Sequence, residues 1–304
     1  MSSESWESVA QRLDSLLGRA ERLLEVYLPE TAHDPSLFTD WIAFRWVRQG
    51  RGGRLVPVRH PHLVDLVDLV GIDLSRDDLV RNTEQFVTGF PANNVLLWGE
   101  RGTGKSSCVK GLLKPFAHRG LRLIEVERTD LSTLSELLEL LRRDPRRFII
   151  FCDDLSFAEG DSSYQELKTL LDGGLEERPA NTLIYATSNR RHLMPELVAD
   201  TLGGEIHPEE AISDRLSLAD RFGLHLSFYS FDQATYLTIV ERYAKRAGIV
   251  LERETVRLEA LRWALQRGQR SGRAARQFVD DLSGRMGEVR SELGPLNHPP
   301  SIPP

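Results

Sequence analysis

Apolar and polar positions along this chain follow two different periods, and the change of period divides it. Over residues 4–28 the side chains of Trp6, Val9, Leu13, Leu16, Leu17, Ala20, Leu23, Leu24 and Leu28 recur at helical intervals, as on one face of an amphipathic helix. That stripe predicts an N-terminal helix packed on the rest of the chain or on another protein. Between 40 and 62 the pattern dissolves. Trp41, Phe44 and Trp46 are interleaved with Arg45, Arg48, Arg51, Arg54 and Arg59, and Gly50, Gly52 and Gly53 interrupt any regular element. The stretch reads as a flexible basic loop flanked by aromatics. It either buries its tryptophans among solvated arginines or holds nucleic acid.

From Val95 onward, short apolar runs rich in β-formers alternate with helical stretches. The runs are Val95–Trp98, Leu121–Val126, Phe148–Cys152, Thr182–Ala186 and Leu224–Phe228. Helical periodicity fills roughly 104–118, 131–142, 162–173 and 208–220. Strands apolar on both faces and separated by helices predict an α/β fold, a parallel five-stranded sheet between helices. After Phe228 no strand pattern recurs; 232–247, 254–267 and 272–290 read as three helices, a small helical lid. The tail from Ser291 carries five prolines and is expected to be disordered.

Composition adds little to that picture. With 304 residues, 40% hydrophobic and 28% charged, the chain has the balance of a globular protein. A net charge of −6 gives no global reason to expect nucleic acid, although local patches leave it open. The two cysteines, Cys108 and Cys152, lie in apolar segments without the spacing of a zinc site or a disulfide framework. The N-terminus lacks the basic flank and apolar stretch of a signal peptide, and no apolar run is long enough to span a bilayer, so a cytoplasmic protein is expected.

The chemistry begins where the first of the five strands ends. Gly99-Glu100-Arg101-Gly102-Thr103-Gly104-Lys105-Ser106, with Ser107 after it, matches G-x-x-x-x-G-K-[ST] between a strand and a helix. Glycines let successive backbone N–H groups curl around a phosphate, and the helix start adds its positive end. Lys105 is expected to reach the β- and γ-phosphates of ATP, and the Ser106 hydroxyl to ligate Mg²⁺. Further on, Phe148-Ile-Ile-Phe-Cys-Asp153-Asp154 is an apolar strand ending in two carboxylates. Asp153 is expected to hold Mg²⁺ and Asp154 to orient the attacking water. Asn189, closing Ala186-Thr-Ser-Asn189, is placed to hydrogen-bond the γ-phosphate or that water.

With these residues in view, the chain resembles an AAA+ ATPase. It is especially similar to an uncharacterised bacterial AAA+ family known as a domain of unknown function. The resemblance runs from about Leu69 to Leu282. It includes Gly71-Ile-Asp73, Asn82-Thr-Glu-Gln-Phe86, the stretch from Asn93 to Ser106, Asp153-Asp-Leu-Ser-Phe157, Ala186-Thr-Ser-Asn189 and Asp220-Arg-Phe-Gly223. It implies that Val70, Gly71 and Ile72 form the adenine-side linker and that Asn189 is the sensor-1 residue. It also implies that Arg221 is an arginine finger reaching a neighbouring subunit's γ-phosphate, with Arg215 the weaker candidate. Arg273 fits the lid's sensor-2 position best, and Arg276 remains an alternative.

The expected layout is an N-terminal helical or interaction region over 1–66, the nucleotide-binding α/β domain over 67–228, the lid over 229–290 and the tail over 291–304. One departure from the family pattern stands out. Most AAA+ motors carry Glu after the Mg²⁺ aspartate, whereas Asp154 is a shorter acid, shared with initiator-like branches that act as ATP switches. Two readings therefore stand. The first is an ATPase that hydrolyses ATP-Mg²⁺ at a subunit interface, in a ring or open helix, to remodel or switch a protein or nucleic-acid partner. The second is a slow ATP-gated binding module that hydrolysis resets. A small-molecule kinase on the same phosphate loop is a third, disfavoured by the order of the sensor, finger and lid candidates.

Overall fold

The computed structural model describes residues 16–19, 36–50, 52–157, 161–172, 178–191, 193 and 218–292. The expected helix over 4–28 lies outside the described residues except for 16–19. So do most of the 208–220 helix, Arg51, Arg215 and the tail beyond Glu292.

All five anticipated strands form, and two more precede them. The strands are β1 (Ala43–Gln49), β2 (Gly52–Pro57), β3 (Val95–Gly99), β4 (Leu121–Val126), β5 (Arg147–Cys152), β6 (Thr182–Ser188) and β7 (Leu224–Phe228). They build one seven-stranded sheet in the order β2-β1-β4-β5-β6-β3-β7, parallel except for the β1–β2 pair. The parallel strands are buried on both faces, as their continuous apolar runs require.

The stretch read as a loop, 40–62, is in fact a β-hairpin that extends the sheet, giving seven strands rather than five. Its signal is a period of two: Phe44 and Trp46 are buried while Arg45 and Val47, which alternate with them, are exposed. The glycines that looked like breakers make the turn and the close pass of β2. Gly50 has φ +62°, and a Cβ on Gly53 would lie 2.3 Å from the Trp46 ring. Trp46 is 2% exposed, and its indole Nε1–H donates to Thr133 Oγ1 at 2.9 Å. Trp46→Ala is expected to lower unfolding stability by about 3–5 kcal/mol, since it empties a packed site and removes that bond, while Thr133 Oγ1 keeps its own bond to Asp130 O. Chemical denaturation measures this, and a loss below about 1 kcal/mol would mean that the hairpin is not part of the cooperative core.

Helices cover both faces. On one side lie α1 (Asp73–Val87) and α2 (Lys105–Gly111, followed directly by a turn at Leu113–Phe116). The other side holds α3 (Leu134–Arg142), whose Leu134, Leu137, Leu138 and Leu141 are buried, and α4 (Ser162–Asp172). The three expected lid helices follow as α5 (Gln233–Arg246), α6 (Arg253–Arg267) and α7 (Gly272–Glu292). The lid's inner residues, among them Tyr236, Ala260, Ala275 and Phe278, join the same apolar cluster as Val95, Leu97 and Val109 around the phosphate loop.

Helix α1 escaped sequence reading because half of its buried stripe is polar: Leu79, Asn82, Thr83 and Phe86. Asn82 Nδ2 donates to Asn93 O at 2.9 Å and to the Tyr185 hydroxyl at 3.0 Å, and Asn93 N returns a bond to Asn82 Oδ1 at 3.0 Å. Thr83 Oγ1 meets the same Tyr185 hydroxyl at 2.9 Å. These bonds lock the approach to β3 against β6 and so set the height at which the phosphate loop leaves the sheet.

Candidate functional site

Strand β3 is interior, flanked by β6 and β7, so the loop at its end opens between two parallel neighbours. Gly99 has φ +132°, and a Cβ there would fall 2.0 Å from Phe228 O; only glycine lets the loop leave so close to β7. Glu100 N–H donates to that same carbonyl at 2.9 Å. Thr103 Oγ1 donates to Glu100 O at 2.8 Å, closing the loop on itself. At Gly102, with φ +75°, the lid leans in: a Cβ would meet Ser271 Oγ at 2.9 Å and Arg273 Cβ at 3.0 Å. Ser271 caps α7 by accepting from Ala274 N–H at 3.1 Å.

Lys105 is 7% exposed. Its ammonium donates to Gly99 O and Glu100 O, both at 2.7 Å, and to Asn189 Oδ1 at 3.2 Å. Burial pulls its pKa down to about 8, against the raising fields of Asp154, Asp153 and Glu100. Next to it, Ser106 Oγ donates to Asp153 Oδ1 at 2.6 Å. Thr187 Oγ1 donates to the same oxygen, also at 2.6 Å, while accepting from Asp154 N–H at 2.9 Å. Asp154 sits at φ +53°, a left-handed backbone uncommon outside glycine, and its Oδ1 accepts from Asn189 Nδ2. Lys110 Nζ stands 3.8 Å from Asp153 Oδ2 and 3.4 Å from Glu125 Oε1, and Glu125 Oε2 in turn meets Arg45 Nε at 3.3 Å.

These side chains open onto a cleft of about 800 Å³ between the sheet and the lid. Leu69 and Val70 line one wall, with Phe231, Ile239 and Tyr243 from the lid side across from them. Gly71 and Ile72 pack directly behind that wall: Gly71 has φ +79° and is pressed against Thr235 and Phe231, and Ile72 lies under Gly104. Arg273 and Arg276 both reach the cleft. Arg276 is held by Asp280 at 3.0 Å and lies over the Tyr243 ring, whereas among the described residues Arg273 has no carboxylate partner. Arg221 is elsewhere. It precedes β7, whose first residue pairs with the start of β3, so it stands at the end of the sheet opposite the phosphate loop, paired with Asp172 on α4. That hydrogen bond raises its pKa above the ordinary value.

The structure thus brings Lys105, Ser106, Asp153, Asp154, Asn189 and Arg273 to one cleft and leaves Arg221 outside it. Thr187 and Lys110 went unnoticed in the sequence. Thr187 carried a signal, since it stands near the end of β6, two residues before Asn189, which directly follows that strand. The donor set fits a magnesium nucleotide: a loop of positive-φ glycines, a buried ammonium satisfied only by carbonyl and amide oxygens, and a hydroxyl–carboxylate pair of the hard-oxygen type. Among the described residues no group of three or more His, Cys, Asp or Glu is placed to hold a metal ion.

A phosphate loop on an interior strand of a β4-β5-β6-β3-β7 parallel sheet, closed over by a helical lid, is the AAA+ P-loop NTPase fold. The family described as "Protein of unknown function (DUF815)" matches residues 39–286, and the chain belongs to that family. No curated protein matches its sequence. Solved structures agree on the fold at low identity. The Thermotoga maritima RuvB Holliday junction branch migration motor is 15% identical with a TM-score of 0.52, over 74% of this chain and 66% of that one. The Aeropyrum pernix ORC1 protein in complex with DNA is 14% identical with a TM-score of 0.55, over 74% and 65%. The FIGL-1 AAA domain in complex with ADP is 16% identical with a TM-score of 0.50, over 77% and 78%. No helix among the described residues is long and apolar enough to cross a membrane.

Proposed function

We propose that the chain binds ATP-Mg²⁺ in this cleft and hydrolyses it at an interface between copies of itself, to remodel or switch a macromolecular partner. The observation that carries the reading is the division of the site. Lys105, Ser106, Asp153, Asp154 and Asn189 converge on one cleft, while Arg221, the finger candidate, stands at the far end of the same sheet. A head-to-tail neighbour would supply it, and such contacts build rings or open helices.

Each residue then has a task. Lys105 exchanges its loop carbonyls for the β- and γ-phosphate oxygens. Ser106 and Asp153 hold the cation, which neutralises phosphate charge during transfer. Asp154, steadied through its backbone by Thr187, orients the attacking water, with Asn189 beside it. Arg273 contacts phosphate from the lid, and Val70 with Gly71 and Ile72 shapes the adenine side.

A slower variant of the same reading, an ATP-gated module that hydrolysis merely resets, draws support from Asp154. Its arm is one methylene shorter than the usual Glu, and its carboxylate is already engaged by Asn189. Among the solved structures similar in fold, RuvB is a branch migration motor and ORC1 was solved in complex with DNA.

Phosphate release per subunit, measured across a wide range of protein concentration with Lys105→Ala as the blank, tests the proposal. The expected result is a specific rate that climbs with concentration. A flat, measurable rate would mean that each subunit is self-sufficient and the shared site is wrong. ATP binding without detectable release would favour the gated module.

A further inference from the structure

We propose that Thr187 is a positioning residue whose single hydroxyl joins the two acids of the cleft, Asp153 and Asp154, into one unit. The inference rests on the ATP-Mg²⁺ reading of the cleft and deepens it. Thr187 is 2% exposed, near the end of β6, an interior strand between β5 and β3. Cys152 pairs with Ala186, so Thr187 stands one step further along, beside Asp153 just past the end of β5. Its Oγ1 donates to Asp153 Oδ1 at 2.6 Å and accepts from Asp154 N–H at 2.9 Å. Neither direction can be reversed, because an ionised carboxylate only accepts and a backbone N–H only donates. The one proton of the hydroxyl is therefore committed to the first acid, and a lone pair to the second.

The surroundings make that pair of bonds matter. Asp153 Oδ1 has a second donor in Ser106, but the proposed function assigns that hydroxyl to the cation. The other oxygen, Oδ2, faces Lys110 Nζ at 3.8 Å, too far for a hydrogen bond. Thr187 is thus the donor that stays with Asp153 when Ser106 turns to the cation. Asp154, at φ +53°, holds a left-handed backbone that its Cβ disfavours, and bonds to β6 keep it there. Leu155 N–H donates to Thr187 O at 2.7 Å, Ser188 Oγ donates to Leu155 O at 2.7 Å, and Asn189 Nδ2 donates to Asp154 Oδ1. Residues 153–155 are laced in this way to residues 187–189, with Thr187 Oγ1 bonded to both acids.

Removing the hydroxyl acts on both acids at once. Asp153 loses a donor, and Asp154 N–H loses its acceptor, so the left-handed turn is free to relax. Groups that orient a metal ligand typically contribute about 10- to 100-fold in metal affinity or activity. The phosphate contacts of the glycine loop and Lys105 use neither bond. The loss therefore falls on the Mg²⁺-dependent part of nucleotide affinity and on turnover, and spares nucleotide binding without the cation.

The test compares Thr187→Val, which keeps the branched shape suited to a strand, with Thr187→Ser, which keeps the hydroxyl. Affinity for a fluorescent, hydrolysis-resistant ATP analogue is measured in Mg²⁺ and in EDTA, beside phosphate release and unfolding temperature. Thr187→Val should lose about ten- to hundredfold of turnover and most of the affinity that Mg²⁺ adds, with its affinity in EDTA unchanged. Thr187→Ser should keep both within about threefold. Thr187→Ala, equally without the hydroxyl, should repeat the loss, and it takes the place of the valine variant if that one does not fold. An unaltered chain that gains no affinity from Mg²⁺ would defeat the reading of the cleft, and the inference with it. If the unaltered chain does gain and Thr187→Val matches it in both readouts, the inference alone fails. It fails too if Thr187→Ser loses as much as Thr187→Val, which assigns the effect to the methyl group. A loss of affinity in EDTA would mark a general disturbance of the cleft and overturn it as well.

Discussion

Arg221→Ala is expected to lower ATP turnover by about 10³- to 10⁵-fold while leaving nucleotide affinity close to that of the unaltered chain. That range is what an arginine finger contributes by meeting the charge that develops on the transferred phosphoryl group. The fold should survive the change. Arg221 pairs with Asp172 at the surface, and such pairs are worth about 0–1 kcal/mol. Mixing gives the sharper measurement. Arg221→Ala subunits keep an intact cleft and lack the finger, whereas Lys105→Ala subunits keep the finger and lack the cleft. A mixture of the two should recover part of the turnover that neither shows alone. If Arg221→Ala hydrolyses ATP at the unaltered rate, or the mixture recovers nothing, Arg221 is not supplied between subunits.

Lys105→Ala should cost roughly 2–5 kcal/mol of nucleotide affinity, the usual penalty for truncating one partner of a buried charged pair. At about 1.4 kcal/mol per tenfold, that is on the order of thirty- to several-thousand-fold. Calorimetry or a fluorescent nucleotide measures it, and a loss of less than about threefold would remove Lys105 from the phosphate site.

The pH profile adds a signature of its own. The empty site holds Lys105 at about 8, and a bound polyphosphate favours its charged form and raises that value. Binding therefore takes up protons above about pH 8, and affinity should fall as pH rises through that window and level off below it. Lys105→Ala should lack this dependence. Stability of the empty protein runs in the opposite sense. The folded value lies below the ordinary 10.5, so unfolding takes up a proton between them and stability rises with pH over that interval.

Much of this was legible in the amino-acid pattern, for reasons that single residues show. The interior strands announce themselves because a strand buried on both faces must be continuously apolar, as Phe148–Cys152 is. Lys105, Ser106, Asp153 and Asn189 could be placed because each sits at the end of such a strand or just beyond it, where parallel strands put loops on one edge. The hairpin was hidden by its own construction. Gly53 has no side chain because Trp46 fills that space, and it therefore looked like an interruption. Helix α1 was hidden by Asn82 and Thr83, polar side chains that bury themselves on Tyr185 and break the apolar stripe. Arg273 and Arg276 are neighbours on one helical face, and spacing cannot separate them; in the structure both line the cleft, and Arg276 is paired with Asp280.

The two outermost strands also bear on how copies of this chain can meet. A sheet with bare edges can grow by recruiting a strand from another molecule, and such contacts are long-lived. Here β2 presents Arg54 and Pro57 along one margin, residues that discourage a further strand. At the other margin Ser75 Oγ already donates to Ser227 O at 3.0 Å, occupying a carbonyl that an added strand would use. Sheet continuation is therefore discouraged on both sides, and the head-to-tail contact of the proposed function does not need it. If the copies meet through the nucleotide, as the proposed function has it, the assembly would disband when the nucleotide leaves.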